Sequence, residues 1–333
     1  MKRIALLMIL FAALAACDKD ELNPDNVLLG MGGDTWERTE FDDWLYEEFV
    51  LPYNIDVKYK WDPFEVNLKN NYAPVDEARA RALMYAIKKV WIEPYEKKGG
   101  PDIIKRASPK RYVLVGSYEY SSTGQRTLGT AEGTNKITLF HVNTFDPSDA
   151  GSTKDRLKTV HHEYGHTLAA TILFPEEWKS VGKEFYTGSW QSLSDAAALQ
   201  AGFVSAYARA NPDEDWAETI STILVEGREW FNKRVADAGE EGGARLRAKE
   251  SILVGYLKSN WKIDLYETSP GAQDGLMDAV QEAIKKLEEE SLKEQEAAAA
   301  AAANRELSGA GAQPLFYKSQ LRATHGFLPI ACY

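Results

Sequence analysis

Cysteine is nearly missing from this sequence: there are two in 333 residues, Cys17 and Cys332. A chain so poor in cysteine has no disulfide framework, and its stability must come from an ordinary hydrophobic core, for which its length is sufficient. Histidine is scarce as well, with five in all. After Ala16 no apolar run reaches the length of a membrane span. Positive charge is in deficit, with 39 Lys and Arg against 50 Asp and Glu. The formal net charge is −11, and −13 once Lys2 and Arg3 are set aside. Such a chain repels nucleic acid and anionic headgroups at long range, and no basic stripe with interleaved aromatics interrupts the pattern, so a nucleic-acid partner is excluded. No internal repeat is visible.

What is present begins at the N-terminus. Met1-Lys2-Arg3 is a short positive region, Ile4 to Ala13 is wholly apolar, and Leu14-Ala15-Ala16 places small residues before Cys17. This order predicts a bacterial signal peptide over 1–17, too short for a stable spanning helix. Its end looks like a lipobox, which implies that Cys17 receives acyl chains such as palmitate and anchors the mature chain to a lipid bilayer. With Cys17 lipidated, no disulfide can form within the chain. Residues 18–35 are polar, acidic and carry Pro24, and they read as a tether. The acidic residues after Cys17 resemble the surface-export signal of lipoproteins in the Bacteroidetes group.

The body, 36–290, opens with Phe41, Trp44, Leu45, Phe49 and Val50 at helical spacing. Ile55, Val57, Tyr59 and Trp61 then alternate like a half-buried strand. A helix is predicted over Asp76 to Glu93, ended by Pro94 and then Gly99-Gly100-Pro101. Tyr112–Gly116 and Ile137–Val142 read as short buried strands. From Thr153 the pattern turns helical: Asp155 to Phe174, stopped by Pro175; Leu193 to Ala210; Asp213 to about Ala236; Ala244 to Trp261; Gly275 to Ala303. The expected fold is α+β, a small twisted sheet followed by a mainly helical part. Residues 291–333, with seven consecutive alanines and a mixed Gly/Pro end, read as a low-complexity peripheral tail.

One stretch carries chemistry. His162-Glu163-Tyr164-Gly165-His166 reads HExxH. Residues four apart share a helix face, so His162 and His166 offer two ring nitrogens to one metal ion, with Glu163 one step round the helix and in reach of a metal-bound water. The flanking Val160, Leu168, Ala169, Ile172 and Leu173 are those of a buried helix, and buried polar groups cost free energy unless paired. The pattern therefore predicts one Zn2+ per chain, with Glu163 as general base.

Catalytic zinc takes a third protein ligand. A histidine six residues after His166 would supply one, but Ile172 stands there. His161 points elsewhere on the helix, His325 lies in the tail, and no spacing rule supports His141. A carboxylate is the better candidate. Glu214-Asp215-Trp216-Ala217-Glu218 places two glutamates on one face at the start of a helix. This arrangement resembles gluzincins, in which a glutamate on a second helix binds zinc and an acidic residue four positions on holds a ligand histidine. The resemblance implies Glu214 as ligand and Glu218 behind a ligand histidine; the reverse assignment stays open. Tyr207, seven residues before Glu214, matches a gluzincin tyrosine that faces the metal and stabilises an oxyanion, or else packs on a Phe203–Tyr207 stripe.

Taken in order, the lipobox, Pro52-Tyr53-Asn54-Ile55, Tyr59-Lys60-Trp61, 128–133, the HExxH, 202–208 and 214–218 resemble a Bacteroidetes family. These are the zinc-binding metallopeptidase lipoproteins, also called substrate import-associated zinc metallohydrolase lipoproteins. The likeness covers roughly Trp36 to Leu287 and implies an α+β, zincin-like fold in which the mainly helical part is catalytic. It implies an outer-membrane lipoprotein on the cell surface or the periplasmic face, a peptide or glycoprotein substrate, and a TonB-dependent import complex as partner. A competing expectation is a non-catalytic peptide- or glycan-binding lipoprotein beside such an importer. A third is a hydrolase of a non-peptide bond, which metal chemistry alone does not separate from a peptidase.

Overall fold

The computed structural model describes residues 37–307 apart from 68, 121–123, 125, 134 and 267–274. The signal peptide, Cys17, the tether, His325, Cys332 and the tail from 308 onward lie outside the described residues. The described chain is α+β. Helix α1 (Glu40–Leu45) continues through a π turn (Tyr46–Val50) into Leu51–Tyr53, and strand β1 (Asp56–Lys58) follows. The alternation seen from Ile55 to Trp61 is thus realised as strand over three residues only.

Helix α2 (Glu77–Ile87) begins because Asp76 caps it, its carboxylate accepting from the backbone of Ala78 and Arg79. It does not stop at Pro94. The chain widens through a π turn, Lys88–Ile92, and continues over Glu93–Gly99 with Pro94 in the first turn of that new segment, where a missing N–H costs no hydrogen bond. A short α3 (Ile103–Arg106) leads to the sheet.

Strands β2 (Arg111–Leu114), β5 (Gly129–Glu132) and β6 (Lys136–Leu139) join β1 in a four-stranded sheet of order β1-β2-β6-β5. β1, β2 and β6 are parallel, and β5 is an antiparallel edge strand on β6. A two-stranded hairpin, β3 (Glu119–Tyr120) with β4 (Arg126–Thr127), stands beside it. Alternation sorts the central strands onto two faces. Tyr112, Leu114, Ile137 and Leu139 join the main core, and Val113, Val115 and Phe140 form a second cluster closed by Val66 and Tyr72.

The helical part follows. Helix α4 (Ala150–Thr171) starts a turn and a half before the expected Asp155, because the Asp149 side chain caps it at Gly151. It ends at Thr171, where the Tyr256 hydroxyl donates to the carbonyls of Leu168 and Ile172. Pro175 instead caps the next helix, α5 (Glu176–Val181). The helix expected over Leu193 to Ala210 is a short α6 (Asp195–Gln200) followed by a turn. Gly202 stops it in a left-handed conformation, φ 87°, and Tyr207 begins a single 3-10 turn (Tyr207–Arg209). The stripe Phe203–Tyr207 is therefore not a helix face.

Helix α7 (Pro212–Asp237) has Asn211 as cap and Pro212 in its first turn. It kinks at Gly227, and the Gln281 amide donates to the freed carbonyls of Leu224 and Val225 at 2.6 Å each. Helix α8 (Gly239–Tyr256) continues through a π turn to Trp261. Helix α9 (Leu276–Leu307) runs through the alanine run and past residue 290, where the sequence placed the start of the tail; Leu287 and Ser291 are both buried in it.

The crossing of α4 over α7 positions everything that matters for chemistry. Gly165 allows it: a Cβ there would lie 2.9 Å from Ile220 Cγ2 and 3.2 Å from Ala217 Cα. Behind α7, Trp216 packs between Phe174, Trp178 and Tyr256, with ring centroids 4.7–5.2 Å apart.

Candidate metal centre

Three side chains converge where α4 crosses the first turn of α7. His162 Nε2 and His166 Nε2 are 3.1 Å apart, His162 Nε2 is 3.1 Å from Glu214 Oε2, and His166 Nε2 is 3.4 Å from the same oxygen. Among the described residues, these three form the one group of His, Cys, Asp or Glu suited to hold a metal ion. The triangle fits zinc. A tetrahedral ion about 2.0–2.1 Å from each donor holds neighbouring donors about 3.3 Å apart.

The far nitrogen of His162 supports the same reading. Glu218 Oε1 lies 3.1 Å from His162 Nδ1, so Nδ1–H donates to it and the lone pair of a neutral ring stands on Nε2, facing the triangle. Three lone pairs at this spacing repel unless a proton or a cation lies among them. Of the two glutamates, the structure puts Glu214 in the triangle and Glu218 behind His162. Glu218 is itself held, accepting from the Ser205 hydroxyl at 2.6 Å and from Lys158 at 3.2 Å.

Electrostatics follow from these contacts. Burial disfavours a charged His162, but its hydrogen bonds with Glu214 and Glu218 outweigh that and push it up to about 9. Burial likewise opposes ionisation of Glu214 and Glu218, yet His162 pulls both well below the usual carboxylate range, with help from His166 on Glu214 and from Lys158 and Ser205 on Glu218. Glu163, 7 % exposed, moves the other way: burial pushes its carboxyl up.

Tyr207 stands over His162, its ring stacked at 5.8 Å and 19°. Trp190 backs it at 4.8 Å. Its phenol is pushed far up by burial and by Glu214, to which it hydrogen-bonds, so it remains a donor.

The two other described histidines are elsewhere. His161 is fully buried against Tyr95 with both ring nitrogens unpaired, and burial pushes it down to about 3. His141 adopts a left-handed backbone, φ 58°, stacks on Tyr118 at 3.6 Å and accepts at Nδ1 from buried Arg156. It lines a cavity of about 410 Å3 with Tyr118, Asp149, Asp155 and Arg156, along α4 from the metal centre. Ser205 and Lys158, which hold Glu218, carry no motif of their own in the sequence; Lys158 stands one helical turn before His162, and that spacing is the only signal.

The sequence profile of a family described as "Putative zinc-binding metallo-peptidase" matches residues 34–266. Among curated proteins none matches the chain. Among solved structures, a crystal structure of a "putative zinc-binding metallo-peptidase" from Bacteroides caccae is similar. Its sequence identity is 30%, it covers 78% of this chain and 97% of its own, and its TM-score is 0.63.

Proposed function

The chain belongs to the putative zinc-binding metallo-peptidase family, and from that premise we propose that it is a membrane-anchored, gluzincin-type peptidase. The observation that carries this reading is the triangle of His162, His166 and Glu214 with buried Glu163 beside it on the same helix. These three side chains would hold the zinc ion, one per chain. Bound there, zinc supplies Lewis acidity, making water nucleophilic near neutral pH and polarising a carbonyl oxygen.

The chain's own residues do the rest. Glu163, with its carboxyl raised by burial, takes the proton of the attacking water and delivers it to the leaving amine. Glu218 fixes the His162 tautomer and increases its basicity. Tyr207, protonated and stacked on His162, donates a hydrogen bond to the oxyanion that develops on the carbonyl. The antiparallel edge strand β5 packs against α4 at Gly129 and Thr159. An extended peptide suits that edge, which pairs with no further strand among the described residues, because it adds main-chain hydrogen bonds there.

We place the catalytic domain at 36–290 and the anchor at Cys17, after a signal peptide at 1–17 and a tether at 18–35. Support for the anchor is the lipobox-like Leu14-Ala15-Ala16-Cys17. The protein then sits on the outer membrane with a peptide or glycoprotein substrate and a TonB-dependent importer as neighbour. The test is metal analysis of the purified protein with a mixed-peptide cleavage screen, with and without chelator. One zinc per chain and chelator-sensitive cleavage support the peptidase. Stoichiometric zinc without cleavage of any peptide would overturn the peptidase, and absence of cleavage of any substrate at all would favour a peptide- or glycan-binding lipoprotein.

A further inference from the structure

Lys249 and Asp215 have no solvent exposure at all. A buried ammonium persists only where its charge is balanced and its donors are satisfied. Lys249 Nζ lies 2.7 Å from Asp215 Oδ2, donates to the carbonyl of Gly202 at 2.8 Å and sits 3.4 Å from the centroid of the Phe203 ring. Asp215 accepts a further hydrogen bond from the Tyr186 hydroxyl at 2.9 Å. Three segments meet at this one group: α8 through Lys249, the first turn of α7 through Asp215, and the turn after α6 through Gly202 and Phe203. Only glycine fits that turn, with φ 87° and a would-be Cβ 2.5 Å from Arg245 Cβ.

The place of these segments gives the ion pair its meaning. Asp215 directly follows Glu214. Gly202 and Phe203 lead into Ser205, which donates to Glu218, and into Tyr207, which stacks on His162. The proposed chemistry uses neither Lys249 nor Asp215. Apolar residues would join the same segments at a smaller desolvation cost, but without fixed directions.

We propose that Lys249 is a positioning residue for the metal centre. Its single ammonium fixes the ligand-bearing turn of α7 and the 202–207 segment at the separation that brings Glu214 to the histidines while Ser205 and Tyr207 hold Glu218 and His162. The proposal rests on the reading of His162, His166 and Glu214 as zinc ligands.

The test measures zinc affinity of the full chain by competition with a chromophoric chelator, alongside the melting temperature of the chelated protein. Three variants are compared with wild type: Glu214→Ala, the double variant Lys249→Met/Asp215→Asn, and Tyr186→Phe. The double variant leaves no charge buried without a partner, so its chelated form melts close to wild type. Its zinc affinity falls about 10- to 100-fold, the loss that follows removal of groups supporting a ligand. Tyr186→Phe, which only removes one bond to Asp215, loses zinc affinity toward the lower end of that range. If Glu214→Ala loses zinc while the double variant binds it as wild type does, the positioning role is overturned and the ligand reading stands. If the double variant does not fold, Tyr186→Phe decides, and wild-type affinity there overturns the proposal. Retention of zinc by Glu214→Ala overturns the ligand reading, and the proposal with it.

Discussion

Glu163 and Glu218 are two glutamates set against the same histidine, and their surroundings give them opposite tasks. Burial pushes both toward the neutral acid. For Glu163 burial prevails; for Glu218 the hydrogen bond from His162, the Lys158 charge and the Ser205 hydroxyl prevail, and it stays ionised. One carboxylate is therefore suited to accept a proton and the other to hold an imidazole. Replacing Glu163 by Gln keeps the shape and removes the base. Glu163→Gln is expected to retain one zinc per chain while cleavage falls about 10^2- to 10^4-fold, checked by metal analysis and single-turnover kinetics; unimpaired cleavage would sink the mechanism. Tyr207 was the residue the sequence read least well, since a packing tyrosine and an oxyanion donor have the same letter. Tyr207→Phe separates them. It keeps the stacked ring and loses only the hydroxyl, so kcat is expected to fall about 10^2- to 10^3-fold with KM little changed. Steady-state kinetics with any cleaved peptide reads this, and an unchanged kcat would make Tyr207 a packing group.

At the scale of elements, the site exists because α4 and α7 approach closely, and Gly165 sets that approach. A methyl at Gly165 meets Ile220 Cγ2 at 2.9 Å and the Ala217 backbone at 3.2 Å, with no flexible chain end to yield. Gly165→Ala is expected to lower stability by about 1–3 kcal/mol through overpacking and to weaken zinc binding, because Glu214 and Glu218 ride on the helix that is pushed away. Thermal melts and chelator competition check both halves; a fully stable variant with normal zinc affinity would show that the crossing is not tight. Gln281 does comparable service at the kink of α7, and Gln281→Ala, leaving the carbonyls of Leu224 and Val225 unpaired, is expected to cost about 1–3 kcal/mol by denaturant titration. The long helices were legible because their apolar positions repeat at helical spacing over many turns. The errors came where one residue redirects the backbone. Gly202 stops α6, a π turn lets α2 pass Pro94, and Asp149 starts α4 early. A cap or a left-handed glycine acts locally, and periodicity averages over it.

For the molecule as a whole, the histidine pair was legible because its geometry is local, four residues on one helix. Glu214 meets His162 across 52 positions of chain, a distance fixed by packing of helices and not by spacing; only the ExxxE pattern and the resemblance pointed to it. Lys249 left no motif at all, and Ser205, Lys158 and Asp215 lie in or beside the motif stretches without a spacing that assigns them a role. The assembled centre makes a prediction that no single element makes. In the chelated protein His162 is pushed up to about 9 against an ordinary value of 6.5. A histidine raised on folding stabilises the chelated form fully below pH 6.5, and that stabilisation is lost as pH rises through about 9. At 1.36 kcal/mol per pH unit the loss is roughly 3 kcal/mol. Glu214 and Glu218, held below the carboxylate range, remain ionised throughout this window and give up their contribution only in acid. Zinc needs the neutral ring, so its binding expels the His162 proton below about pH 9, and affinity rises with pH up to that point. Between pH 6.5 and 9 the chelated protein thus loses stability while zinc binding strengthens. The melting-temperature gap between zinc-loaded and chelated protein is expected to widen steadily across that range. Calorimetry in buffers of different ionisation enthalpy should find about one proton released per zinc at pH 7. A gap independent of pH, with no proton released, would mean that His162 holds no proton among these donors.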